Sequence, residues 1–577
     1  MEKGDSGHDN NILGDIRNID TLIRKRFHTD AIYQAGDCLY NTVSERRIRR
    51  VSNLLRGKAE WIAKANDPET RKGWLEEAKE LEHEITDSEL QYVYDELKYY
   101  AMLHVSGIGI YLGTVEQVWI SDSLVGENIE KEIKQHAFTL ESEIQRHVDK
   151  HANVNKQVVY LVDPSLYPLD YRRTMLLPST RISSPKAALN LKSFGCCPGS
   201  LDRWSKAIST HANNDSSKSR YFIPKVDSQS HYYYSRYSSQ WYCWLPTEFH
   251  ISPSGDVHVG SYINNLHPVK HESFYSTIAN VFGKFVPMLE QVITDLVHPR
   301  ESRVDPNTYS WDDFGYSCPD SCSDADFDEK LNQWLENRVF LEPQPGTFKP
   351  PDRPAKPYCL RGRSIQAVFE MSNIELTPRD PMYKGDMWRI IGSANERIIA
   401  AGVYYYDVAN VTDGNLSFRE LAYDTNVCYQ NEDAGTKLPV DLVEGEAAMV
   451  QETGSVNIKH GRCIVFPNTY QHRNGEFRLV DPAKPGHRKA IVFYFVDPST
   501  RIPSTEIVPP QQQEWWAETL LSVKPFDKLP DLVIDKVLGK TDFPVNTSDA
   551  KNTRLDLYAE HAVANDKVTS HIFEPVV

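Results

Sequence analysis

Two kinds of hydrophobic periodicity divide the chain. From about Ile12 to Lys156, apolar residues recur every three or four positions among charged ones, which predicts helices. Within this part, Thr86 to Glu89 has the pattern of a capping box. A second helix is predicted from about Glu272 to Val297, where an apolar stripe keeps helical spacing and Pro287 should kink the chain. This stripe indicates packing on a sheet, with a ligand groove as the alternative.

After a proline-rich connector the pattern changes to short β-branched and aromatic runs between turn residues, which predicts strands. Each proline fixes its own φ and disfavours helix before it, so the connector marks the main internal boundary. The predicted strands are Ser364 to Leu376, Ile398 to Asp407, Ser417 to Tyr423, Ser455 to Phe466, Glu476 to Val480 and Arg488 to Val496. They suit either a double-stranded barrel of jelly-roll type or a β-sandwich.

These patterns predict an α+β protein with five regions. They are a mainly helical N-terminal region (1–160), a mixed α/β region that packs on the barrel (161–342), the connector (343–357), the barrel (358–510) and a helical C-terminal appendage (511–577).

Composition narrows the class of protein. The 577 residues are 40% apolar and 25% charged, as in ordinary globular proteins. A formal charge of -16 offers no basic surface for nucleic acid. The chain starts without a secretory signal pattern and has no run of about 18 apolar residues, so we expect a cytoplasmic protein without a membrane partner. Its nine cysteines suggest reduced thiols. A homo-oligomer remains open.

Several short motifs occur in one order along the chain. They are SYINNLHP (261–268), NERIIA (395–400), YYYD (404–407), NTYQHR (468–473), GHRK (486–489) and RIPST (501–505). With them the chain resembles a fungal family of unknown function that has an iron(II)/2-oxoglutarate dioxygenase-like barrel. The resemblance covers roughly residues 241–516. It implies a double-stranded β-helix, that is, a jelly-roll barrel, rather than a sandwich.

The resemblance also implies an iron site, of which this chain keeps only a part. In such oxygenases two histidines and a carboxylate hold iron(II), and a basic residue pairs with the far carboxylate of 2-oxoglutarate. Here His472 corresponds to one ligand, and Arg488 follows it sixteen residues later. The family's tryptophan, matched by Trp388, precedes His-x-Glu, but here Arg389 and Ile391 stand at those positions. We therefore expect no bound metal.

The substituted residues suggest a different chemistry. If Arg389 points inward, it forms with Arg488 a two-cation pocket for an acidic or polycarbonyl small molecule. Alternatively it turns outward or pairs with Asp386 or Glu396. Asp386 itself lies three residues away, on the opposite face of a regular strand. His472 is then a candidate general acid or base.

Six further residues are expected to bind the substrate, namely Trp388, Ile391, Tyr404, Tyr406, Asn468 and Gln471. Because side chains alternate along a strand, either Tyr404 and Tyr406 or else Tyr405 faces inward.

Three functions follow. The first is a redox-neutral enzyme, of cyclase, isomerase or dehydratase type, acting on a natural-product intermediate without a cofactor. The second is an oxygenase of fungal secondary metabolism that uses Fe(II) and 2-oxoglutarate. The third is a non-catalytic binding protein.

Overall fold

The computed structural model describes residues 41–146, 157–177, 181–190, 197–200, 203–204, 206–207, 238–239, 241–304, 310–311, 324–337, 340–342, 344–421, 450–541 and 543–569. Its first helices are α1 (Val43–Arg56), α2 (Trp61–Lys64), α3 (Pro68–Leu81), α4 (Asp87–Met102) and α5 (Glu127–Arg146). The predicted capping box is confirmed at the start of α4. Thr86 Oγ1 accepts the backbone N–H of Glu89 at 3.2 Å, and Glu89 Oε2 accepts that of Thr86 at 2.7 Å. The expected helical character therefore holds for most of residues 43–146, while residues 1–40 lie outside the described part.

The described residues also form strands, and the register of each strand pair is antiparallel. In chain order they are β1 (Tyr111–Leu112), β2 (Trp119–Ser121), β3 (Val158–Val162), β4 (Leu169–Asp170), β5 (Tyr242–Cys243), β6 (Thr247–Ile251), β7 (Val257–Val259), β8 (Ser310–Trp311), β9 (Phe340–Leu341), β10 (Ser364–Leu376), β11 (Met382–Tyr383), β12 (Ile398–Ala409), β13 (Gly414–Leu421), β14 (Val450–Ile458), β15 (Cys463–Pro467), β16 (Tyr470–Asn474), β17 (Phe477–Arg478) and β18 (Gly486–Val496). Of the predicted strand Ser417 to Tyr423, the last two residues lie outside the described part.

The main sheet has nine strands. Their order is β1-β2-β15-β12-β18-β10-β6-β7, and β3 pairs with β10. Strands β12 and β18 run side by side at its centre, as do β18 and β10. The main sheet thus joins strands from before the proline-rich connector to strands after it.

A smaller sheet of three strands, in the order β14-β13-β16, packs against one face of the main sheet. Val368 and Ala401 of the main sheet belong to the same buried cluster as Leu416 and Phe418 of the small one. Among the described strands, hydrogen bonds do not join the two sheets into one barrel. The fold is therefore a mixed α+β structure with two antiparallel sheets face to face, and the jelly-roll barrel stays an expectation.

The other face of the main sheet is covered by α6 (Glu272–Val297), which continues through Pro287. Phe282 of α6 stacks on Phe249 with ring centroids 4.1 Å apart and meets Phe493 edge-on at 5.3 Å. The apolar stripe of α6 is buried in this contact, because its large side chains fill the space above the sheet. The packing interpretation of the stripe is thus confirmed.

The remaining helices are α7 (Asp324–Asn337), α8 (Gln513–Leu521), α9 (Asp531–Leu538), α10 (Thr547–Thr569) and two 3-10 helices (Pro185–Leu189 and Phe526–Lys528). Helix α10 is tied to the sheets by a buried ion pair between Arg554 and Asp163, at 3.0 Å. Near its end, Asn565 Oδ1 accepts the backbone N–H of Ile390 at 2.8 Å. Helix α10 therefore lies beside the segment that carries Arg389. Within the described residues, no helix has the length and apolar character to cross a membrane.

Candidate functional site

A cavity of about 100 Å³ lies between the two sheets. Strands β10, β12, β15 and β18 of the main sheet contribute to one wall, and residues of β13 and β16 contribute to the other. Its charged or titratable lining residues include Glu370, Asp386, Arg389, His472, Arg488 and Tyr494. The three candidate catalytic residues His472, Arg389 and Arg488 thus line one cavity.

Arg389 and His472 are brought together by backbone pairing. Each donates its N–H to the other's carbonyl oxygen, at 3.1 and 3.0 Å, in an antiparallel bridge. Residues opposed in this way present their side chains on one face. The Arg389 side chain borders the open cavity and so keeps 47% of its accessible surface. Arg389 therefore lines the cavity, as the first sequence-based alternative required, and it also pairs with Asp386, as the second one proposed.

His472 is buried, with 5% of its surface exposed, and its ring lies 5.0 Å from that of Phe466. Among the described residues Nδ1 has no hydrogen-bond partner. Burial lowers the pKa of His472 to about 3, and the positive charge of Arg389 adds to the effect, while Asp386 opposes it. The imidazole is therefore neutral at physiological pH and has a nitrogen free to accept a proton.

Asp386 also faces the cavity, which corrects the expectation for a regular strand. Its carboxylate accepts a hydrogen bond from the Tyr383 hydroxyl and one from Asn474 Nδ2, the latter at 2.7 Å. It lies 3.8 Å from the Arg389 guanidinium. The segment after β11 is irregular, and Gly385 at φ +87° breaks the alternation of side chains. Asp386 is thus the counter-ion of Arg389.

Arg488 has a different environment. It is 2% exposed, and none of its three guanidinium nitrogens has a hydrogen-bond partner among the described residues. Its charged carbon lies 3.8 Å from the centre of the Phe477 ring. A Cβ atom at Gly414 would collide with Nη2, so a larger residue there would force the guanidinium to move. Burial lowers the pKa of Arg488, but an arginine remains charged.

Glu370 forms a second polar group on the main-sheet wall. Its carboxyl accepts hydrogen bonds from the Tyr494 hydroxyl at 2.8 Å and the Ser372 hydroxyl at 3.0 Å. Burial raises the pKa of Glu370, while the Tyr494 hydrogen bond and the Arg389 charge oppose the rise. The sequence contained a signal for Tyr494, since it alternates with Arg488, Ala490 and Val492 along β18. For Glu370, no comparable pattern in the sequence indicated that the side chain would line the cavity.

The tyrosine run of β12 has the opposite orientation to the one that the predicted substrate site required. Tyr405 lines the cavity. Tyr404 and Tyr406 point to the other side of the main sheet, where their hydroxyls meet Glu130 at 3.4 Å and Asn373 at 3.3 Å. The placement of Tyr404 and Tyr406 in the substrate site is therefore corrected in favour of Tyr405.

The other four expected substrate residues lie next to the cavity but do not line it. Asn468 exchanges hydrogen bonds with the backbone of Ile391, at 2.9 and 3.0 Å, and so fixes the loop after Arg389. Gln471 accepts a hydrogen bond from Arg419 on the outer side. Trp388 is stacked between Arg419 and Arg473, whose guanidinium carbons lie 4.7 and 4.4 Å from its ring centre. We infer that these residues position Arg389 and His472 rather than contact a ligand.

The residues present do not fit an iron triad. Among the described residues no group of three or more His, Cys, Asp or Glu side chains is arranged to hold a metal ion. The position opposite His472 is filled by a guanidinium, and Asp386 is engaged by Tyr383, Asn474 and Arg389. A facial triad needs two imidazoles and one carboxylate, so one imidazole is lacking here.

Comparisons with known proteins identify a family but assign no activity. Residues 87–519 match the family described as "Protein of unknown function (DUF4246)". The chain belongs to that family. No match is found among curated proteins.

The solved structures that are similar include the Fe(II)/(alpha)ketoglutarate-dependent dioxygenase TqaL, at 9% identity over 46% of this chain and 68% of that one, with a TM-score of 0.22. They also include IDO from Bacillus thuringiensis, at 6% identity over 23% of this chain and 46% of that one, with a TM-score of 0.14. A bsmA homolog from Methylobium petroleophilum PM1 matches at 10% identity over 24% of this chain and 44% of that one, with a TM-score of 0.15.

Proposed function

We propose that the cavity binds a small organic acid through Arg488 and that the protein catalyses a redox-neutral proton transfer on it. The observation that carries this proposal is the buried Arg488 guanidinium, which has no hydrogen-bond partner among the described residues. A buried cation without a partner costs several kcal/mol of desolvation. A carboxylate ligand would offset this cost with a bidentate pair.

The size of the cavity supports a small ligand. A water needs about 10–15 Å³ of such volume, so about 100 Å³ accommodates on the order of seven to ten water-sized groups. The apolar residues Ala490 and Val492 separate Arg488 from Tyr494 along the wall. A short aliphatic chain with a carboxylate at one end suits this lining.

His472 and Arg389 supply the chemistry. Neutral His472 can accept a proton from a ligand atom next to a carbonyl group, leaving the electron pair on the ligand as an enolate. Arg389, directly opposite, can hold the enolate oxygen as charge develops on it. Returning the proton to a different atom isomerises the ligand without oxidation. A bound anion would also raise the pKa of His472, because it offsets part of the Arg389 charge.

Binding can be tested by calorimetry with succinate, glutarate and 2-oxoglutarate as probes. We expect at least one acid to bind, and Arg488→Met to weaken it by about 10- to 150-fold, since a charge-assisted hydrogen bond contributes about 1.5–3 kcal/mol. Arg478→Met on the exposed side of β17 is the matched control and should bind as the wild type does. Equal binding by Arg488→Met would contradict the proposal.

Catalysis can be followed by NMR in D₂O. His472-dependent exchange of the protons next to the carbonyl of 2-oxoglutarate, lost in His472→Asn, would support proton transfer. Conversion of 2-oxoglutarate to succinate on addition of iron(II) would instead favour the oxygenase.

A further inference from the structure

The cavity has two chemically different ends. Arg488 pairs with Ile374 in the register of β10 and β18, whereas Glu370 lies four residues further along β10. At about 3.4 Å per residue, the two positions are roughly 13 Å apart along the strand. Both side chains face the cavity. One end therefore presents a cation and the other a carboxyl group.

At the Glu370 end of the cavity, the other charged groups balance one another without a contribution from Glu370. Arg389 has Asp386 as its counter-ion at 3.8 Å, and His472 is neutral. An ionised Glu370 then makes this end negative overall. Tyr494 and Ser372 donate to its two oxygens from the sheet side. Each carboxylate oxygen can accept a further hydrogen bond, so the group retains capacity for a donor on a ligand.

We propose that the ligand of this cavity is an amino acid of extended form, with its carboxylate on Arg488 and a protonated amine at Glu370. This inference rests on the proposed function, because it takes the carboxylate at Arg488 as given. The spacing of roughly 13 Å is between backbone positions, and both side chains extend from them into the cavity, so the guanidinium and the carboxyl group lie closer together than that. The cavity volume of about 100 Å³ accommodates on the order of seven to ten water-sized groups, which suits a chain of about five carbons that carries both end groups.

The alternative occupant is a diacid whose second carboxylate contacts Arg389. The contact between Arg389 and Asp386 disfavours it, because a second carboxylate would compete with Asp386 and approach Glu370. The charge arrangement thus discriminates between two ligands of nearly equal size.

The test compares 5-aminopentanoate, pentanoate and glutarate by calorimetry with the wild-type protein. We expect 5-aminopentanoate to bind about tenfold or more tightly than either of the others, as one charge-assisted hydrogen bond implies. In Glu370→Gln this preference should fall to about threefold or less, since the amide keeps an acceptor but loses the charge. Glu375→Gln, at an exposed position near the end of the same strand, is the matched control and should keep the preference.

Each result of this comparison would overturn a different part of the proposal or support it. Equal binding of the three probes, or tighter binding of glutarate, by the wild type would overturn the amino-acid assignment while leaving the Arg488 anchor in place. A preference for 5-aminopentanoate that survives in Glu370→Gln would overturn the role of Glu370. Failure of all three probes and of the acids tested above would overturn the proposed function as well.

Discussion

Arg389 and His472 form a mutual backbone pair in which the N–H of each residue donates to the carbonyl oxygen of the other, at 3.1 and 3.0 Å. Their side chains consequently enter one cavity from adjacent positions. A permanent positive charge next to the imidazole helps to keep His472 neutral. The same lowering of the pKa makes the neutral imidazole a weaker base than an ordinary histidine, so its proposed role as proton acceptor needs a bound anion that offsets the Arg389 charge.

Replacing Arg389 by histidine should create a metal site. With His472 opposite and Asp386 in the same cavity, Arg389→His supplies two imidazoles and a carboxylate, which is the donor set of a facial triad. We expect the variant to bind Co²⁺ stoichiometrically, seen as visible d–d absorption. Arg389→Gln, which removes the charge without adding a ligand, should give no such band. Strong Co²⁺ absorption from the wild type would show that its own residues already hold a metal.

Arg488 should reduce the stability of the ligand-free protein. Since its charge is buried without a hydrogen-bond partner among the described residues and only the Phe477 ring is stacked against it, Arg488→Met should raise the free energy of unfolding by about 1–3 kcal/mol. Urea denaturation without ligand measures this change. A loss of stability would instead indicate that the arginine supports the fold.

The neutral state of His472 makes stability depend on pH. The folded pKa of about 3 lies below the ordinary value of 6.5, so below pH 6.5 only the unfolded chain takes up the proton. This contribution to stability is complete above pH 6.5 and should fall by up to about 1.4 kcal/mol per pH unit between roughly pH 6 and pH 4.

The comparison with His472→Asn isolates this effect. The raised pKa of Glu370 acts in the opposite direction in the same range, and the lowered pKa of Asp386 acts in the same direction only near pH 4. The free-energy difference between wild type and His472→Asn, measured by urea denaturation at several pH values, should therefore shift against the wild type on acidification. A pH-independent difference would mean that His472 is not held neutral.

Glu396 should be important for stability rather than for binding. Its buried carboxylate accepts the backbone N–H of Trp244 at 3.0 Å and that of Ser393 at 2.6 Å. In Glu396→Ala these donors lose their partner, and we expect a cost of roughly 3 kcal/mol in urea denaturation, at about 1–3 kcal/mol for each buried unsatisfied group. Glu476→Ala at an exposed position is the control and should change stability little. A cost below about 1 kcal/mol would show that other partners, or water, replace the carboxylate.

The long regular elements could be predicted from the sequence. The interval from Glu272 to Val297 agrees with α6, and Ser364 to Leu376 agrees with β10. In both, a long periodic pattern leaves few alternatives for the element type. The convergence of Arg389, His472 and Arg488 could also be expected, because the resemblance to the dioxygenase-like family implies that these positions belong to one site.

The finer geometry could not be predicted. In β12 the run from Ile398 to Tyr406 is buried on both faces, so no alternation of polar residues shows which tyrosines face the cavity. A shift of one residue exchanges the two sets. The orientation of Asp386 could not be predicted because it lies in an irregular segment after Gly385. Contacts across more than a hundred residues, such as that between Ile390 and Asn565, have no local signal in the sequence.

The central claim is that the buried Arg488 guanidinium binds a carboxylate group of the ligand. A crystal structure of the wild-type protein soaked with an acid that binds in calorimetry would test it most directly. Two carboxylate oxygens of the ligand should lie within about 3 Å of the Arg488 guanidinium nitrogens. A guanidinium already paired with a side chain of the protein itself, or a metal ion held beside His472 by three protein donors, would contradict this claim.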